Sequence, residues 1–88
     1  MKTKKHKDLD FEFNRIAGET LRAKREKVNL TLEELGKRVR TTRQNIYKYE
    51  NNLSRIKVDM FISMCYALGY DPNEVFDEIK AEFDKTKV

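Results

Sequence analysis

Thr31-Leu32-Glu33-Glu34-Leu35-Gly36-Lys37-Arg38-Val39-Arg40-Thr41-Thr42-Arg43-Gln44-Asn45-Ile46-Tyr47-Lys48-Tyr49-Glu50-Asn51 contains two helix starts close together. Thr31 and Glu34 have the spacing of a capping box: the hydroxyl accepts from the N–H of Glu34, and the carboxylate accepts from the N–H of Thr31. The helix they open is short. Leu32, Leu35, Gly36 and Val39 form its inner face before Thr41-Thr42 supplies the next cap. A further helix starts near Arg43 and keeps Ile46, Tyr49 and Leu53 inward. Asn51-Asn52 can end it, because Asn tolerates the left-handed conformation better than most residues.

Longer helices flank this pair. Phe13, Ile16, Ala17, Leu21 and Val28 recur at three- and four-residue spacings, predicting a first helix from about Phe11 to Val28 with Asp10 as its cap. Arg25 falls beside that apolar stripe, an odd place for a cation. Val58, Phe61, Ile62, Cys65 and Leu68 predict a fourth helix that Gly69 stops, although Lys57 makes a poor cap at its start. Asp71-Pro72-Asn73-Glu74 opens a fifth, with cap, proline and boxing Glu in order, and Val75, Phe76, Ile79 and Phe83 form its stripe. The class is all-α, five helices on very short connections. Two short helices separated by three or four residues between longer ones suggest a helix-turn-helix core, with Gly36 allowing the close crossing. Leu35, Val39, Ile46 and Tyr49 supply the seam.

Residues 1–8 hold four Lys and no large apolar side chain beyond Met1, so they read as a flexible basic arm. The expected division is an arm over 1–8, the helix-turn-helix domain over 9–70, and a C-terminal helix and tail over 71–88.

Composition narrows the function. Eighty-eight residues support one core, and charged and hydrophobic residues each make up 39% of the chain, so apolar material is limited. The net charge of +4 conceals a split: residues 1–57 carry +8 and residues 58–88 carry −4. That points to a basic working face and an acidic end that is solvated or meets a partner. A single Cys excludes an intrachain disulfide, and one Cys with one His leaves zinc without ligands. No metal or cofactor is expected. No apolar run approaches the roughly 18 residues of a membrane span, and the basic start leads to His6-Lys7-Asp8 rather than to a signal-peptide core. The expected setting is the cytoplasm. Catalysis has little to stand on: Glu33, Glu34, Asp77, Glu78 and Glu82 read as solvated helix carboxylates, and Cys65 as a packed thiol with nothing basic near it in sequence. No catalytic residue is assigned.

The outer face of the third helix has the chemistry of a reader of bases. With Ile46 inward, a step of about 100° per residue turns Gln44, Lys48 and Asn51 away from the core, with Tyr47 and Asn45 flanking. Arg43 stands at the N-terminal end. Arg and Lys pair with guanine O6/N7, Gln and Asn with adenine N6/N7, and a major groove admits one helix. Any surface helix is polar outside, but this one also sits on the seam and spacing described above.

The stretch Leu30–Gly69 resembles the Cro/repressor-type helix-turn-helix family, also called the XRE family, of phage repressors and small bacterial regulators. The resemblance rests on Leu30-Thr31 with Glu33-Glu34-Leu35, the run Thr41–Ile46, Tyr49-Glu50-Asn51 and Ala67-Leu68-Gly69; with the first helix it covers residues 15–76. It implies a lambda-repressor-like DNA-binding domain in which the helix from Arg43 reads bases through Arg43, Gln44 and Lys48. It also implies that Arg25 and Glu50 form a buried ion pair clamping two helices. Three departures stand out. Arg40 replaces the usual turn Gly, so a left-handed turn there would cost roughly 1 kcal/mol, unless the turn differs. Leu32 replaces a phosphate-contacting polar residue, leaving only backbone N–H groups at that helix start for a phosphate. Asn52 and Ile56 replace Gly and Pro in the following loop.

Thr42, Asn51, Arg55 and Lys57 flank the recognition helix and are the expected phosphate contacts, with Arg38 and Arg40 behind them. The Lys2–Lys7 arm either follows the duplex or is a solubilising tail. The expected protein is a double-stranded-DNA-binding transcriptional regulator, a repressor working as a homodimer through Val75, Phe76, Ile79 and Phe83. Two rivals remain. One is an antitoxin with the same fold that also holds a toxin partner. The other is a basic interaction module using Arg15, Arg22, Lys24, Arg25 and Lys27 of the first helix.

Overall fold

The computed structural model describes the backbone of residues 2–86 and the side chains of residues 11–86. The helices are α1 (Lys2–Lys27), α2 (Leu32–Arg38), α3 (Arg43–Glu50), α4 (Val58–Leu68) and α5 (Pro72–Thr86), and there is no strand among the described residues. Caps set the starts. Thr31 Oγ1 accepts from the N–H of Glu34 at 3.0 Å while Glu34 Oε1 accepts from the N–H of Thr31 at 2.8 Å. Thr42 Oγ1 accepts from the N–H of Asn45 at 3.1 Å. Asp71 accepts from Asn73 at 2.9 Å, one residue short of the box expected with Glu74.

The first four helices stop in one way. A left-handed residue follows each: Asn29 (φ 60°), Arg40 (φ 60°), Asn52 (φ 59°) and Gly69 (φ 86°). The next N–H then reaches back five residues, from Leu30 to Arg25, Thr41 to Gly36, Leu53 to Lys48 and Tyr70 to Cys65, at 2.8–3.1 Å. This is the Schellman arrangement, which satisfies carbonyls that the helix leaves open.

The core gathers Ile16, Ala17 and Leu21 of α1, Leu35 of α2, Ile46 of α3, Met64, Cys65 and Leu68 of α4, and Val75 and Ile79 of α5. Burial pushes the Cys65 thiol up to about 11, so it packs as an inert side chain. Phe13 joins α1 to α5, with ring centroids 5.8 Å from Phe76 and 5.3 Å from Phe83. Lys24 ties the same helices, 3.0 Å from Glu78 and 4.4 Å above the Tyr70 ring.

Several expectations need correction. The backbone is helical from Lys2, so from that residue the expected flexible arm is the opening of α1, and Asp10 lies inside the helix instead of capping it. No Pro or Gly interrupts Lys2–Ala17, and extending a helix already nucleated by packed turns is cheap even without burial. Met1 lies outside the described residues. Val28 falls beyond the end of α1 and Leu53 beyond the stop of α3, and both are exposed. Helix α4 is rotated from the expected register. Its inner face is Phe61, Met64, Cys65 and Leu68, while Val58 and Ile62 turn outward. The helix set apart at 71–88 is part of the single core. Val75 and Ile79 are fully buried there, so neither can offer its side chain to a second copy.

No described helix is long and apolar enough to cross a membrane. Among the described residues, no cluster of three or more His, Cys, Asp or Glu could hold a metal ion.

Candidate nucleic-acid interface

Helix α3 is held at both ends by contacts that leave its outer side bare. At its start, Gly36 of α2 lies against the incoming backbone: a Cβ there would stand 2.9 Å from the Thr41 carbonyl oxygen. At its end, Gly18 of α1 lies still closer, since a Cβ would meet the Tyr49 oxygen at 2.5 Å and the Glu50 oxygen at 3.0 Å. Two glycines therefore set how near α1 and α2 approach α3.

The Arg25–Glu50 pair locks that approach. Arg25 Nε donates to Glu50 Oε2 at 2.7 Å and Nη2 to Oε1 at 3.1 Å, a two-pronged contact between side chains only 11% and 2% exposed. The remaining arm, Nη1, donates to the Leu30 carbonyl at 2.7 Å. Glu50 holds the guanidinium above its already high ordinary value. One side chain thus closes the end of α1, fixes the entry to α2 and anchors the last turn of α3.

Asn14 fastens the chain that leaves α3. Its Nδ2 donates to the Asn52 side chain and, at 3.3 Å, to the Ser54 carbonyl, while its Oδ1 accepts from the N–H of Ile56 at 3.2 Å. The loop that carries Arg55 and Lys57 is thereby tied to α1.

With Ile46 buried, Arg43, Gln44, Tyr47 and Lys48 stand exposed, and Tyr47 keeps 51% of its surface. Asn45 differs. It is half-buried and its Nδ2 donates to Thr41 Oγ1 at 2.8 Å, so it braces the turn. Around this row Thr42, Asn51, Arg55, Lys57 and Arg40 are all exposed. Asn51 folds its amide back onto the Tyr47 carbonyl at 2.8 Å. Arg38 donates to the Ala67 carbonyl at 3.1 Å and joins α2 to α4.

The roles of Gly18 and Asn14 are not legible in the sequence. A glycine inside an apolar helical stripe and a polar residue beside Phe13 were the available signals, since each costs helix or burial energy unless a close approach or a hydrogen bond compensates.

A helix-turn-helix family model matches residues 21–75, more than half of the chain. The chain belongs to the XRE-type helix-turn-helix family. It is 46% identical over 44 residues to a protein of Methanothermobacter thermautotrophicus named as an HTH-type transcriptional regulatory protein. That match takes in 50% of this chain but 14% of the relative's length. Crystal structures of the clp gene regulator ClgR from Corynebacterium glutamicum share the fold at 24% identity. One has a TM-score of 0.74 over 80% of this chain and 91% of that one; the other has 0.76 over 82% and 77%.

The XRE-type core differs from the family pattern in ways the geometry explains. Arg40 does take the left-handed turn usually given to Gly. Asn52 takes the next one and is held there by Asn14. Leu32 turns partly into the core. The start of α2 is already occupied by the Glu34 carboxylate, with Glu33 beside it, so it is a poor seat for a phosphate.

Proposed function

We propose that this chain is a sequence-specific double-stranded-DNA-binding transcriptional regulator, a repressor that pairs as a homodimer on a palindromic operator, and that it has no catalytic activity of its own. One observation carries the reading. Arg43, Gln44, Tyr47 and Lys48 project together from a short helix whose pose is fixed by Gly36, Gly18 and the Arg25–Glu50 pair. Those side chains match base edges in a major groove, which accepts one helix. Arg43, Gln44 and Lys48 read bases, Tyr47 packs against them, and Asn45 acts mainly through the turn. Thr42, Asn51, Arg55, Lys57 and Arg40 meet phosphates around the groove and supply most of the affinity. A single reading helix spans too few base pairs for a genome, so two copies read half-sites roughly 10 bp apart.

The basic face of α1 is a weaker candidate for a partner surface. Arg15 is bound by Glu12 and Glu19, Arg22 by Glu26, Lys24 by Glu78 and Arg25 by Glu50.

Selection of duplexes from a random pool at near-physiological salt tests the proposal. A palindromic consensus is expected, and sequence-blind binding would overturn it. On the selected site Lys48→Ala should cost about 1–3 kcal/mol and relax base preference. Lys57→Ala should weaken all duplexes alike and flatten the salt dependence.

A further inference from the structure

The chain that leaves α3 has two sides. From Asn52 to Lys57 burial alternates residue by residue: Asn52, Ser54 and Ile56 are half-buried, while Leu53, Arg55 and Lys57 are exposed. Successive side chains of an extended backbone point to opposite sides, and Lys57 has extended angles, φ −71° and ψ 155°. One side chain of α1 binds all three inward residues. Asn14 Nδ2 donates to the Asn52 side chain and to the Ser54 carbonyl at 3.3 Å, and its Oδ1 accepts from the Ile56 N–H at 3.2 Å. A side-chain amide suits this task because it carries donor and acceptor on one planar group. The run needs such a clip. Asn52 holds a left-handed turn (φ 59°) that is unfavourable for a residue with a Cβ. Ile56, unlike a proline, leaves its own φ free and keeps the N–H that Asn14 binds.

We propose that Asn14 is the positioning residue for the phosphate contacts of this chain: by holding residues 52, 54 and 56 inward, it presents Arg55 and Lys57 to the duplex backbone beyond the end of α3. A slip of one residue along the run would exchange its two sides, turning Arg55 and Lys57 toward α1 and Ile56 toward solvent. Asn14 is half-buried and acts through the loop, without meeting DNA itself. Ordering the loop before the duplex arrives spares the entropy that a loose segment would lose on binding. Arg43, Gln44 and Lys48 lie on α3, before the run, so base preference is set apart from this clip.

The inference rests on the DNA-binding reading proposed above. Fluorescence anisotropy of the full chain, with the selected duplex and an unrelated one over a range of salt, tests it. Asn14→Leu is close in size and has no polar side-chain atom. It should weaken binding to both duplexes about tenfold and lower the slope of log affinity against log salt by about 1–2, the share of one or two phosphates. The preference for the selected duplex should stay at the wild-type ratio. In the Asn14→Leu background Lys57→Ala should add little further loss, because a contact already misplaced cannot be removed twice. Without DNA, the Ile56 amide should exchange its hydrogen faster than in the wild type. Asn14→Ala, which cannot overpack, should behave in the same way, and circular dichroism should show both variants folded. A merely structural role would lower the melting temperature yet leave the salt slope and the Lys57→Ala increment at their wild-type values; that result overturns the proposal. So does unchanged exchange at Ile56. A wild type that binds with steep salt dependence, matched by both variants, removes the proposal alone. A wild type that binds no duplex even at low salt removes the DNA reading and the proposal with it.

Discussion

Removing the Glu50 carboxylate should unsettle the molecule more than any other single polar change. In Glu50→Ala the Arg25 guanidinium stays where it is, 9% exposed as a residue, with the Leu30 carbonyl as its remaining acceptor. Breaking one side of a buried ion pair costs about 3–5 kcal/mol, and the surviving bond to Leu30 puts the loss near the lower end. A domain of this size has total stability of roughly 4–13 kcal/mol, so about 3 kcal/mol should lower its melting temperature by some 12–24 °C. Arg25→Ala strands the carboxylate instead, which is only 2% exposed, and should cost at least as much. The double variant Arg25→Met/Glu50→Met should recover much of the loss, because an apolar pair leaves no buried charge. Urea melts of the two alanine variants and this double variant measure each step. Losses below about 1 kcal/mol for both alanine variants would show that water already screens the pair and would refute the buried clamp.

Three further outcomes follow from single features. Gly18→Ala improves helix propensity by about 1 kcal/mol but drives a methyl into the backbone of Tyr49 and Glu50; urea melts should show a net loss of about 1–2 kcal/mol. Arg40→Gly relieves the left-handed turn and should stabilise by up to about 1 kcal/mol after the entropy of an added glycine, while gel shifts should show weaker binding to every duplex if Arg40 meets a phosphate. The Thr31 N–H holds the Glu34 carboxylate below its ordinary 4.5, so its contribution is complete above that value and disappears as pH falls through the lowered one. The stability gap between wild type and Glu34→Gln should therefore shrink as the pH is lowered from neutral past the ordinary 4.5, and a gap that stays constant into acid would exclude the carboxylate cap.

Where a side chain acts on its own backbone neighbourhood, the sequence was a sufficient guide. Thr31, Thr42, Gly69 and Asp71 mark helix ends because capping is a matter of a few consecutive residues. The outward set Arg43, Gln44, Tyr47 and Lys48 follows from Ile46 and the helical repeat alone. Features that depend on distant segments were hidden. The rotation of α4 goes with Met64, which is fully buried while Val58 stands 75% exposed, and nothing in the local pattern ranks the two. Gly18 matters only because α3 passes over it, and Asn14 only because a loop some forty residues later returns to it. The start of α1 is hidden for a different reason: Lys2–Asp10 carries little apolar pattern, yet an unbroken run next to packed turns needs only propagation to stay helical.

The outward row of α3 also performs no structural duty. Among the described residues, the side chains of Arg43, Gln44 and Lys48 make no hydrogen bond or ion pair within the chain, whereas Asn45, Glu50 and Asn51 are all engaged. Under the proposed function, mutation can thus rewrite what this surface reads while the scaffold beneath keeps its melting point, and new target preferences can accumulate without intermediates that fail to fold.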